Sequence, residues 1–307
     1  EKSANIPVAV KRIMDSKTFD NGTICASEQS IITERCIEQK VVDEVSRQGG
    51  YFMTPEESEK LSKFILRANG TMNPKIVGKS AQTLADMAGI RIPAGTRVLV
   101  SRQRTVGKDN PYSREKLCPI LAFYVEDGWE EACRRSIEIL NNEGAGHTMT
   151  IHSEDADVIR EFALQKPVSR LLVNTPGALG GVGATTGLQP ALTLGCGSVG
   201  GSATSDNVSP LNLINRRRVA WGLCELEDLR KQQEQMTGVS AAPQSTFGSG
   251  SHAGGSCGQS SVFGSGSNAG AACGNANNGA ACGSPDITED DIARITKAVL
   301  QKLGALN

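Results

Sequence analysis

Hydrophobic and polar positions along the first 235 residues follow two periods, and the switches between them lay out the elements. Ile31, Ile32, Val41, Val42 and Val45 fall on the inner side of a helix, with Ser27 where its N-cap belongs and Gly49-Gly50 as the stop. Thr54-Pro55-Glu56-Glu57 combines an N-cap, a proline for the first helical position and a capping-box glutamate. It opens a second helix that runs to Asn69-Gly70, and residues 80–87 make a third. Apolar runs over 97–101, 120–125, 148–152 and 170–174 read as strands, with helical stretches over 129–141 and 155–165 between them. Strand–helix alternation predicts an α/β domain with a mostly parallel sheet covered on both faces.

This patterning ends near residue 235. From Gln235 to Pro285 there is no Asp, Glu, Lys or Arg, and Gly, Ser, Ala and Asn dominate. The stretch from Phe247 to Gly258 recurs sixteen residues later as Phe263 to Gly274, with a shorter echo ending at Cys282-Gly283. So few apolar side chains cannot offset the entropy of ordering, so 235–285 reads as a disordered, flexible linker. Residues 286–307 change again. Thr288-Glu289-Asp290-Asp291 gives an acidic helix start, and Ile292, Ile295, Val299 and Leu303 recur at helical spacing, with Lys297 and Lys302 in the later turns. The expectation is a short amphipathic helix on a long tether, its apolar face a docking peptide for a partner's groove. The organisation is then a globular region over 1–222, a short helical extension over 223–234, the linker and the terminal helix.

Composition adds mainly exclusions. The chain has 307 residues, with 32 Lys+Arg against 33 Asp+Glu and a net charge of −1. Nucleic acid is disfavoured as a partner because phosphate contacts need clustered cations, and Arg216-Arg217-Arg218 is the one tight basic cluster. That cluster reads as a solvated face. No apolar run approaches the ~18–20 residues that span a bilayer, so no membrane span is expected. Glu1-Lys2-Ser3 lacks both an initiator Met and the apolar run of a secretory signal and reads as a cut end. Nine cysteines form no Cys-x-x-Cys pair and no zinc-ligand spacing, so no metal site is expected and a reducing cytoplasm fits. No Gly-x-Gly-x-x-Gly follows a strand and opens a helix with an acidic residue ~20 positions on, so no dinucleotide-binding half is visible.

Cys25 is the first candidate for chemistry. It lies in Phe19-Asp20-Asn21-Gly22-Thr23-Ile24-Cys25-Ala26-Ser27, where Gly22 allows a close backbone turn. Ahead of the expected helix its thiolate should form more readily than in free cysteine. The unpaired amides there suit an oxyanion on an attacked carbonyl.

The segment from Phe19 to Ser30 resembles the nucleophile segment of the CoA-acylating branch of the aldehyde dehydrogenase superfamily. Further stretches extend the resemblance in the family's order: Arg114-Glu115-Lys116-Leu117-Cys118-Pro119, Gly146-His147-Thr148, and Leu192-Thr193-Leu194-Gly195-Cys196-Gly197-Ser198-Val199-Gly200-Gly201 with Ser205 to Pro210. Together they cover about residues 1–222. The resemblance implies an aldehyde dehydrogenase-like catalytic domain in which Cys25 attacks an aldehyde. NAD takes the hydride, and coenzyme A then carries off the acyl group from the Cys25 thioester. Glu115 matches the position that holds the nicotinamide ribose, and His147 a turn that could orient or deprotonate a thiol. Ile24, Thr193, Leu194, Gly195 and Cys196 would shape the acyl pocket. The family's dinucleotide-binding domain precedes its nucleophile, so the chain is expected to be a fragment, inactive alone. The tail resembles encapsulation peptides of bacterial microcompartments, in particular the glycyl-radical type handling acetaldehyde or propionaldehyde. That implies shell proteins as partners of Ile292, Ile295, Val299 and Leu303, and a place in the compartment lumen. Family members form homo-oligomers through strands near 208–221. Competing readings are a hydrolytic aldehyde dehydrogenase and a non-catalytic assembly module.

Overall fold

The computed structural model describes residues 1–238. These fall into a compact unit, Glu1–Trp221, and the first part of a second unit that begins at Gly222. All but the start of the 235–285 linker, and the whole of the 286–307 helix with Ile292, Ile295, Val299 and Leu303, lie outside the described residues.

The first unit opens with a helix that the periodicity leaves unassigned, α1 (Ile6–Thr18). Asn5 caps it, its side chain accepting from the Val8 amide at 3.3 Å, and Pro7 sits in the first turn. The helix expected after Ser27 is not there. Ser30–Glu34 is a strand, β1, and the helix begins only at α2 (Glu38–Arg47). Ile31-Ile32-Thr33 is a β-branched run, which suits a pleated strand, and Ile31 and Ile32 pack into different cores on opposite faces. Gly50 then starts a short strand, β2 (Gly50–Phe52), rather than ending a helix.

Helix α3 (Pro55–Ile65) starts with the expected capping box. The Thr54 hydroxyl accepts from the Glu57 amide at 3.2 Å, and the Glu57 carboxylate accepts from the Thr54 amide at 2.9 Å. It stops short of Asn69 because Leu66 turns extended and bridges Met72. Ser80 caps α4 (Ala81–Ala88). Strands β3 (Val98–Arg102) and β4 (Ile120–Glu126), helix α5 (Trp129–Asn142), strand β5 (Gly146–Ile151), helix α6 (Ala156–Gln165) and strand β6 (Val168–Val173) lie close to their expected spans. A five-residue helix, α7 (Gly177–Gly181), follows.

Among the described residues, strands β1 to β6 pair only in parallel. One sheet has the order β2-β3-β4-β1, with Ser30 opposite Ala122 and Leu99 opposite Ile120; β5 and β6 pair separately. Leu99, Ile120, Ala122 and Tyr124 bury one sheet face against Leu61 and Ile65 of α3 and Leu84 and Ala85 of α4. Val98, Val100, Leu121 and Phe123 bury the other against Val10 and Met14 of α1 and Val41 and Val45 of α2. Burial on both faces is why β3 and β4 read as unbroken apolar runs. Cys133, Ile151, Val158 and Phe162 form a smaller core joining α5, β5 and α6.

Within 208–221 the isolated chain forms only a short 3-10 turn, Pro210–Leu213, and leaves Leu213 and Trp221 exposed. In the second unit, α8 (Leu226–Thr237) follows Glu225 and closes at Gly238 in a left-handed conformation.

Candidate active site

The turn ahead of Cys25 is unusual backbone. Asp20, Asn21 and Gly22 take φ values of 46°, 48° and 77° in succession. These are the residue types that enter the left-handed region at least cost, which explains the Asp-Asn-Gly sequence. A Cβ on Gly22 would lie 3.0 Å from the Cys118 carbonyl carbon and 3.1 Å from the Lys17 carbonyl oxygen. The turn therefore packs onto the Glu115-Lys116-Leu117-Cys118 segment, where Leu117 is itself left-handed at φ 47°. Close packing of two strained segments brings Cys25 beside Glu115.

The thiol is exposed, and no helix follows it. The expected lowering of its pKa is accordingly not found. Partial burial of its surroundings and the Glu115 carboxylate push the Cys25 thiol above its ordinary value, while the amides of Cys25 and Ala26 oppose the shift. Those two amides are the donors available to a negative charge formed at this position.

Buried ionisable groups, which sequence pattern alone could not single out, surround this point. Lys17 is fully buried with no hydrogen-bond partner on Nζ, and burial pulls its pKa down to about 8. Lys116, also fully buried, donates to the carbonyls of Tyr112 and Arg114 at 2.7 Å each; burial and the Lys17 charge lower its pKa to about 7. Glu28 accepts from the Gly177 amide at 2.8 Å through Oε1, its Oε2 is buried without a partner, and burial raises its pKa. Glu115 is raised by burial and by Glu143, against the pull of Lys17 and Lys116.

His147 is the second residue of β5, inside the strand rather than in a turn. Its Nδ1 lies 2.9 Å from the Thr148 hydroxyl. Burial and the Arg170 charge lower its pKa, so it is neutral at pH 7 and able to accept a proton. Arg170, nearly buried on β6, donates to the Thr148 hydroxyl at 3.2 Å and to the carbonyls of Ser205 and Gly195. It thereby fastens the glycine-rich loop to the strand pair. Gly195-Cys196-Gly197-Ser198-Val199-Gly200 has dinucleotide-type glycine spacing but opens no helix.

Cys25, Glu28, Glu115 and His147 line one cavity of 420 Å³, together with residues of α1, β1, α5 and β5. Ile24, Thr193, Leu194, Gly195 and Cys196 do not line it. Leu194 instead packs from behind: a Cβ on Gly181 would sit 2.8 Å from the Ala26 side chain and 3.7 Å from that of Leu194. Cys196 faces a separate shallow hollow with Val168 and Ser205. Among the described residues no group of His, Cys, Asp and Glu could hold a metal ion, and no helix is long and apolar enough to cross a membrane.

No protein-family model matches the chain. Curated relatives do. An aldehyde-alcohol dehydrogenase of Clostridium acetobutylicum is 40% identical over 225 residues, covering 72% of this chain and 26% of that protein. A succinate-semialdehyde dehydrogenase (acetylating) of Clostridium kluyveri is 36% identical over 221 residues, covering 72% and 49%. The solved structure of a probable aldehyde dehydrogenase from Listeria monocytogenes is 64% identical, with a TM-score of 0.72 over 75% of this chain and 51% of that one. The chain belongs to the acylating aldehyde dehydrogenases. It spans between a quarter and about half of the length of these relatives. More distant members with known structures include a propionaldehyde dehydrogenase from a fucose-utilisation bacterial microcompartment of Clostridium phytofermentans (26% identical, TM-score 0.60, covering 67% and 46%). Another is the Rhodopseudomonas palustris propionaldehyde dehydrogenase with bound CoA and an acylated cysteine (25%, TM-score 0.59, covering 66% and 45%).

Proposed function

We propose that this chain is the nucleophile-bearing part of an enzyme that oxidises acetaldehyde or propionaldehyde to the acyl-CoA, with NAD as oxidant, inside a bacterial microcompartment. The observation that carries the reading is the exposed Cys25 thiol at the end of a cavity shared with Glu115 and neutral His147. The acylated cysteine and CoA of the R. palustris relative support the same chemistry here. His147 takes the thiol proton, and Cys25 attacks the aldehyde carbon, placing an oxyanion near the Cys25 and Ala26 amides. Glu115 is placed to hold the nicotinamide ribose; the residues described fit that end of the dinucleotide alone, since none forms a phosphate-binding glycine turn. The dinucleotide, when bound, accepts the hydride. Cys25 is left as a thioester and His147 passes its proton to solvent; the CoA thiol, giving its proton to His147, then attacks the thioester, the bond to Cys25 breaks, and the departing Cys25 thiolate takes that proton back as acyl-CoA is released.

The compartment setting rests on the microcompartment relative and on the apolar spacing of Ile292, Ile295, Val299 and Leu303, which would dock on shell proteins. The exposed apolar residues of 208–221 support a homo-oligomer in which that segment pairs with a second copy.

The test uses the longer enzyme that carries this chain. NADH formation is followed from each aldehyde, with and without CoA, in wild type and Cys25→Ala. CoA-dependent turnover that is lost in Cys25→Ala is the expected result. Turnover without CoA makes the enzyme hydrolytic, and none under any condition leaves an assembly module.

A further inference from the structure

One buried pair of side chains takes no part in the chemistry proposed above. Lys166 follows α6, and Pro167 after it favours an extended backbone, which Lys166 adopts at φ −83° and ψ 130°. Its ammonium ends against two residues of the small α5–β5–α6 core. It lies 3.9 Å from the centre of the Phe162 ring and donates to the Cys133 sulfur at 2.5 Å. Lys166 is 7% exposed and Cys133 3%.

A lysine is rarely buried without carboxylates or carbonyls to accept from it. Lys116 meets that need with two carbonyls. Lys166 has neither among the described residues; a thiol and a ring face hold it instead. Of the described cysteines, Cys133 alone has an amine within hydrogen-bonding distance. Cys118 feels the charges of Lys17 and Lys116 without a hydrogen bond to either. Neither Cys133 nor Lys166 lines the cavity of Cys25. They are 33 positions apart, and β5 with His147 falls between them.

We propose that Cys133 and Lys166 form a modification site at which hydrogen peroxide joins Sγ to Nζ as a reversible sulfenamide. The Cys133 sulfur attacks one peroxide oxygen, the O–O bond breaks, and the departing hydroxide takes the thiol proton as water. Sulfur is oxidised to the sulfenic acid and peroxide is reduced. The Lys166 amine, its extra proton given to solvent, then attacks that sulfur. The S–N bond forms, the S–O bond breaks, and hydroxide leaves with an amine proton as a second water. One thiol, one amine and one peroxide thus give one S–N bond and two waters. An amine already in contact with the sulfur intercepts the sulfenic acid before a second peroxide carries it to the irreversible sulfinic acid. The link closes residues 133–166 into a loop that holds β5, and restricting the unfolded chain in this way stabilises the fold.

The test uses the longer enzyme that carries this chain. The exposed thiols of Cys25, Cys36 and Cys224 are first alkylated in the folded protein, which is then treated with peroxide, digested with trypsin and weighed by mass spectrometry. Residues 117–134 and 161–170 should appear as one linked product, lighter by two hydrogens than the two peptides together, which dithiothreitol separates. The thermal midpoint should rise on oxidation and return on reduction. Cys118→Ala, in the same peptide, leaves the link in place, and Cys133→Ala abolishes it. Lys166→Arg keeps the cation but removes the nucleophilic amine, so the link is lost and Cys133 is found as the sulfinic acid. Wild-type Cys133 that stays reduced, or that reaches the sulfinic acid as readily as in Lys166→Arg, overturns the proposal. A linked product that keeps a peroxide oxygen overturns it too.

Discussion

Arg170 donates to the carbonyl of Gly195, twenty-five residues further along the chain, and in doing so ties the glycine-rich loop to the strand beside His147. Its guanidinium reaches three acceptors in different segments, which a lysine ammonium on a flexible stem cannot match. Arg170→Ala strands two loop carbonyls and should cost about 2–4 kcal/mol of stability by thermal unfolding. Arg170→Lys should recover less than half of that. A loss below about 0.5 kcal/mol in Arg170→Ala, the range of an ordinary surface change, would show that the loop holds itself.

The raised pKa of Cys25 makes its alkylation alkaline. The rate of reaction with iodoacetamide should rise with pH through a midpoint above that of free cysteine, because the thiolate is the reacting form. Removing the nearby negative charge in Glu115→Gln should move that midpoint down. A midpoint below ~8 in the wild type would contradict the electrostatics described.

Lys17 and Lys116 couple stability to pH. Their folded-state values, about 8 and about 7, lie below the unfolded value of 10.5, so the unfolded chain binds more protons above pH 7. Their contribution to stability is fully present above the unfolded value and is lost as pH falls through 8 and then 7. For Lys17 the shift corresponds to about 3 kcal/mol. The thermal midpoint difference between pH 7 and 8.5 should therefore shrink in Lys17→Met and in Lys116→Met. An unchanged difference in both would mean that neither ammonium is buried as described.

Gly146 leaves no room for a side chain. Its φ is 81°, and a Cβ would run into the Cys196 carbonyl and the Gly200 backbone. Gly146→Ala should cost about 2–4 kcal/mol by chemical denaturation, combining left-handed strain with overpacking. A cost under about 1 kcal/mol would mean that the loop shifts freely.

Much of this architecture was legible in the sequence because it rests on local rules. Thr54 and Glu57 announce α3, Ser80 announces α4, and the apolar runs at Val98 and Ile120 announce strands buried on both faces. The misreading after Ser27 has a physical source. Ile31-Ile32 and Val41-Val42 fit one helical stripe on paper, although the β-branched run of the first pair favours a strand and the two pairs belong to different elements. Helix α7 has glycine at three of its five positions, with low intrinsic propensity, and forms because it packs on Ala26 and Glu28. At the site, the close turn ahead of Cys25 was visible from Asp20-Asn21-Gly22 onward. The buried charges of Lys17, Lys116 and Glu28 were not, because burial of a lysine is decided by distant segments that no local pattern records.

The sheet order has a consequence in time as well as in space. His147 follows Cys25 in the chain by 122 positions. At ~5–20 residues per second a ribosome needs roughly 6–24 s to cover that distance. Throughout that interval Cys25 exists without the strand that places His147 in the same cavity, so the proposed nucleophile and its proposed base meet only late in synthesis.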